Sequence, residues 1–100
     1  MNIAPEEIEY LLVDHPKIQD VAVVGVPDGR KLGEEIVTAI VVPKAGEEVK
    51  LSDLTSFLKQ KDIAAYKLPR KLVCVEGLPR NAVGKVLKRE IRQQLVGQRA

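Results

Sequence analysis

The chain has 100 residues, of which 45% are hydrophobic and 30% charged, with a formal net charge of +2. That length holds one domain, residues 1–100, and excludes a large multidomain enzyme, while the many periodic apolar positions exclude a disordered chain. One cysteine, Cys74, and one histidine, His15, exclude an internal disulfide and an ordinary zinc site, and no apolar run approaches the ~20 residues that span a bilayer.

In chain order, the first element reads as a helix from about Pro5 to His15. Pro5 suits a first turn, Glu6, Glu7 and Glu9 lie near the positive end of the helix dipole, and Ile8, Leu11 and Leu12 form one buried stripe. Asp14-His15-Pro16 closes it, because a residue before proline leaves the helical region; His15 reads as a helix-end residue, not a base. Val21–Val26 is almost continuously apolar, as for a strand covered on both faces. Pro27-Asp28-Gly29 is turn chemistry, and Ile36–Val42 is a second, β-branched strand stopped by Pro43.

Ser52 reads as the cap of a second helix, with Leu54, Phe57 and Leu58 as its stripe and an end near Lys61. A connector, Ala64–Pro69, leads to a third strand, Lys71–Glu76, in which Cys74 reads as a small core residue. A turn-rich loop, Gly77–Gly84, precedes a short extended piece at Lys85–Leu87 and a last helix from Lys88 to about Val96. The order α-β-β-α-β-α predicts an α+β fold. The expectation is a small two-layer sandwich whose mixed or antiparallel sheet, of three or more strands, is covered by helices.

The charge is unevenly placed: residues 1–66 carry 7 Lys/Arg against 12 Asp/Glu, a net of −5, and residues 67–100 carry 9 against 2, a net of +7. The basic end suits either an anionic ligand or a solvated helix face. A nucleic-acid module would need interleaved aromatics, but the only rings of that kind are Tyr10, Phe57 and Tyr66, and no Gly-x-x-Gly clamp accompanies them. Gly84-Lys85 invites a phosphate-loop reading that fails: Pro79 stands where that motif needs its first glycine, and Val86 where it needs Ser or Thr. What remains is a lysine behind a flexible glycine, beside a basic helix.

Five stretches taken together carry a resemblance. They are Asn2–Glu9; His15-Pro16; Ala22–Asp28 followed by Gly33-Glu34; Ala65–Pro69; and Leu78-Pro79-Arg80 with Gly84-Lys85 and Lys88–Arg92. In this order, over about residues 2–95, the chain resembles the C-terminal domain of the adenylate-forming enzymes: acyl- and aryl-CoA synthetases, adenylation domains of peptide synthetases, and luciferases. Its look is nearest the CoA ligases.

The resemblance implies a two-step reaction. A carboxylate attacks the α-phosphate of ATP to give an acyl-adenylate and pyrophosphate, and a thiol, usually that of coenzyme A, then displaces AMP. It implies a large N-terminal domain that binds ATP, Mg²⁺ and the acid, and a small C-terminal lid that rotates between the steps. The present chain would be that lid, as a fragment or a lone domain working with a partner, and inactive by itself.

Lys85 matches the family's catalytic lysine, and Gly84 beside it, counted with the nucleotide-facing residues, frees the backbone of its loop. Tyr66 matches a position near the CoA adenine or else anchors the connector. Lys67 and Arg70 stand where the CoA phosphates come, and Gly33 would border the pantetheine channel. No residue is expected to ligate a metal. The alternative within the family is the lid of a peptide-synthetase adenylation domain, whose thiol comes from a carrier protein. Outside it stands a regulatory domain that kept the fold, against which the intact Gly84-Lys85 counts. Met1 is followed by an acidic, helix-like stretch and not by a secretion signal, so the expected location is cytoplasmic, with no membrane span and no nucleic-acid partner.

Overall fold

Two runs of β-branched residues build the centre of the molecule. In the computed structural model, which describes residues 5–27 and 35–97, they form β1 (Ile18–Pro27) and β2 (Glu35–Pro43), paired antiparallel from Pro27–Glu35 to Ile18–Pro43, with an irregularity between Ile18 and Asp20. A third strand, β3 (Lys71–Cys74), joins the free side of β2 in parallel, from Thr38–Lys71 to Val41–Cys74. The sheet is therefore mixed and open, in the order β1-β2-β3. Parallel pairing requires a long crossover, and the segment between β2 and β3 supplies it, carrying helix α2 (Leu51–Gln60).

The α+β class and mixed sheet are as expected, with helices on both faces of the sheet. Helices α1 (Pro5–Leu12) and α2 cover one face, where Ile8, Leu12, Leu54 and Leu58 meet Val21, Val23, Val37, Ala39 and Val41. Helix α3 (Lys88–Gly97) covers the other, where Ile91 meets Ala22, Val24, Val26 and Ile40. Successive strand residues point to opposite faces, so burying both faces requires apolar residues at consecutive positions. This is the physical basis of the unbroken run Val21–Val24.

Three local expectations are corrected. Helix α1 ends at Leu12, and the next residues close by tight turns, with the His15 N–H donating to the Leu12 carbonyl at 2.9 Å. The N-cap of α2 is Lys50 and not Ser52: the Asp53 carboxylate reaches back to accept the Lys50 N–H at 2.9 Å, the acidic half of a capping box. Cys74 is exposed, because β3 is a four-residue edge strand and Cys74 is its last residue.

Candidate active site

Lys85 sits on a hairpin built by residues 79–87. Its base closes where the Leu87 N–H donates to the Pro79 carbonyl at 2.8 Å and Arg80 bridges antiparallel to Val86. Its tip is a turn organised by Asn81, whose side-chain oxygen accepts the N–H groups of Val83 at 3.0 Å and Lys85 at 2.9 Å. The Asn81 N–H donates to the Lys85 carbonyl, also at 2.9 Å. Asparagine suits this position because its amide mimics a backbone turn. Gly84 takes φ +89°, and a Cβ there would meet nothing within 4 Å, so it is the backbone conformation and not the space that calls for glycine. Val83 and Lys85 project from the tip into solvent. The Lys85 ammonium has no ion-pair partner among the described residues.

Arg80 fastens this hairpin to the sheet. One guanidinium nitrogen donates to the Gly84 carbonyl and the other to Asp20 Oδ2 on β1, each at 2.6 Å. Just beyond the hairpin, the Lys88 ammonium lies 2.7 Å from Glu9 Oε1 and 3.4 Å from Glu6 Oε2, which joins the start of α3 to α1.

A second group of expected residues occupies the approach to β3. Tyr66, 53% exposed, lies in a 3₁₀ turn, Ala65–Lys67. The Lys67 ammonium stands 5.9 Å from that ring centroid and 3.3 Å from Glu7 Oε2 of α1. Arg70 is exposed, and its N–H donates to the Val37 carbonyl at 2.8 Å, starting the pairing of β3. The structure thus brings Tyr66 and Lys67 together and sets Gly84 beside Lys85. No hydrogen bond joins these two groups among the described residues: Lys67 is tied to Glu7 of α1, whereas the Lys85 hairpin is tied through Arg80 to Asp20 of β1. Gly33 lies outside the described residues.

The opposite charges of the two ends of the chain meet in these contacts. Glu6, Glu7, Glu9 and Asp20 pair with Lys67, Arg80 and Lys88, so three of the nine cations of the basic tail are matched internally. Sequence reading missed Arg80 and Asp20 as a pair, since 60 residues separate them; the Asn81 turn was open to discovery from the Asn-x-x-Gly spacing alone. His15 is packed 4.9 Å from Phe57 and accepts the Lys17 N–H on Nδ1 at 3.1 Å, a structural placement. Among the described residues no three His, Cys, Asp or Glu side chains are placed together as a metal-holding cluster. No helix there is long and apolar enough to cross a membrane. A cleft between α3, β2 and β3, lined by Ile40, Val73, Leu78 and Ile91, has a volume of about 50 Å³, far below the ~300–1,000 Å³ of an ordinary ligand pocket.

Residues 7–85 match the AMP-binding enzyme C-terminal domain, and the chain belongs to that family. It is 46% identical over 92 residues to an indoleacetate–CoA ligase of Aromatoleum aromaticum, covering 92% of this chain and 18% of that protein. It is 39% identical over 99 residues to a fatty acid–[acyl-carrier-protein] ligase of Streptomyces coeruleorubidus, covering 99% of this chain and 18% of that protein. Among solved structures, a fatty acyl CoA synthetase of Mycobacterium tuberculosis superposes with a TM-score of 0.85 at 37% identity, over 98% of this chain and 19% of that one. The chain therefore spans less than a fifth of the length of these relatives.

Proposed function

We propose that this chain is the C-terminal catalytic lid of an ATP-dependent acyl- or aryl-CoA ligase. The observation that carries the reading is the family membership combined with Lys85 standing exposed at the tip of a braced hairpin. In the first step a carboxylate oxygen forms a bond to the α-phosphorus of ATP as the bond to pyrophosphate breaks. Two anions must approach, and negative charge gathers on the phosphate and carboxylate oxygens. The Lys85 ammonium, carried in by the lid, offsets that charge where it develops.

In the second step the thiol sulfur of coenzyme A attacks the acyl carbon, AMP leaves, and the thiol proton passes to solvent. With the lid rotated, the segment holding Tyr66, Lys67 and Arg70 receives CoA: the half-exposed ring offers a face to adenine, and the two cations meet phosphates. Lys67 would share its charge between Glu7 and the incoming phosphate. Gly33 and Gly84 complete the set, Gly33 along the pantetheine channel. ATP and the acid would bind in the large N-terminal domain of such an enzyme, with Mg²⁺ held there. A cytoplasmic location goes with this reading.

The relative that loads an acyl-carrier protein supports a second reading, in which the thiol is the phosphopantetheine arm of a carrier protein. The test times both half-reactions in the full-length enzyme that carries this domain. Lys85→Ala is expected to slow adenylate formation by a factor of about 10²–10³, the usual loss for one preorganised charge-stabilising donor. Given pre-made acyl-adenylate and CoA, it should form thioester at nearly the normal rate. Equal impairment of both steps would overturn the lid assignment. Offering CoA and carrier protein side by side separates the two readings.

A further inference from the structure

Arg80 occupies a position that the reaction itself does not explain. It does not stand at the exposed tip, yet both ends of its guanidinium are engaged at 2.6 Å: one on the carbonyl of Gly84, the residue before Lys85, the other on Asp20 of β1. Every other hydrogen bond of residues 80–85 is internal to the hairpin among the described residues. Among the described residues, Arg80–Asp20 is thus the one polar tie between the segment bearing Lys85 and the rigid sheet. We propose that Arg80, oriented by Asp20, is a positioning residue for Lys85, fixing where its ammonium arrives each time the domain closes. This rests on the reading of Lys85 given above.

The chemistry of the side chains fits the task. A guanidinium is a planar fork that holds two acceptors at a set angle, whereas an ammonium is a point charge on a flexible stem. Asp20 is itself braced, since its Oδ1 accepts the Val21 N–H at 2.9 Å. The pair is 41% and 30% exposed, and exposed ion pairs contribute little to folding stability. Its effect belongs in the placement of Lys85 and should be separable from folding.

The experiment measures adenylate formation, thioester formation from pre-made adenylate, and melting temperature in the full-length enzyme. Arg80→Ala and Asp20→Ala are each expected to slow adenylate formation by about 10- to 100-fold, the scale of a misplacement near 1 Å. The second half-reaction and the melting temperature should stay close to wild type. Arg80→Lys should recover only part of the rate. In a Lys85→Ala background, Arg80→Ala should slow adenylation no further, because the residue it positions is gone. If Arg80→Ala fails to fold, Asp20→Asn, which keeps the side-chain shape, carries the test with the same expectation. Normal adenylation in the Arg80 and Asp20 variants overturns the proposal, as does a full further loss in the Lys85→Ala background. Should Lys85→Ala itself leave adenylation intact, the reading of Lys85 fails and this proposal falls with it; should Lys85→Ala slow adenylation and the Arg80 variants not, this proposal alone fails.

Discussion

Asp53 accepts the Lys50 N–H at the start of α2 and lies 3.6 Å from the Lys17 ammonium. The backbone hydrogen bond from Lys50 is the largest influence; desolvation, next in size, opposes it, and Lys17 and then His15 add to the lowering, so the carboxyl is held below the ordinary value of 3.8. A group whose folded pKa is depressed contributes stability above its unfolded pKa and loses it as the pH falls through the folded one. Asp53→Asn should therefore lower stability near neutrality and make the decline below about pH 4 shallower than in wild type. Urea unfolding at a series of pH values checks this, and identical acid limbs in the two proteins would contradict it. Gly84 makes a complementary point at the same scale. Its φ of +89° in open space means that any L-residue there would strain the turn beside Lys85 without a single clash.

Each edge and face of the sheet is managed differently. The outer edge of β1 is closed by side chains: the Val21 N–H donates to Asp20 Oδ1, the Val23 N–H to Glu9 Oε1 at 2.7 Å, and Arg92 Nε donates to the Gly25 carbonyl at 3.3 Å. These contacts blunt an edge that would otherwise offer its backbone to another strand. Of the two faces, the one under α1 and α2 carries the larger fully buried cluster. Leu58, with no exposed surface, sits in it, whereas Leu95 of α3 is only partly buried against the smaller cluster. Leu58→Ala should cost about 2–5 kcal/mol of stability, the range for a cavity left by a buried leucine, and Leu95→Ala distinctly less. Equal midpoints in chemical denaturation would show that the two faces contribute alike.

At the scale of the molecule, the described candidate residues lie on surfaces. The candidate catalytic lysine is in solvent, and the cleft between α3, β2 and β3, about 50 Å³, would take a water molecule or two, not a nucleotide. The 100-residue chain alone should therefore release no pyrophosphate from ATP and a carboxylic acid above the level of its Lys85→Ala variant. Release above that control would mean that these residues complete a site by themselves. The paired charges of the two ends act on this scale as well. They tie α1 to the Tyr66 turn and to the start of α3, just beyond the Lys85 hairpin.

The kinds of element, their order, and the candidate lysine were legible without coordinates. β-branched runs bounded by Pro and Gly, and apolar residues at helical spacing, are local signals that survive in one dimension. The ordered motifs from Asn2 to Arg92 pointed to the family, and with it to Lys85. The tertiary structure decided that β2 is central, that β3 joins it in parallel, and that Cys74 ends an edge strand in solvent. It alone decided that Lys50, with Asp53 reaching back, opens α2, a choice among adjacent residues that propensity ranks too closely to separate. The Arg80–Asp20 tie and the ion pairs on α1 came only from folding, because contacts between residues 60 to 82 positions apart leave no periodicity and no local propensity in the chain. It exists once the sheet has set β1 beside the hairpin.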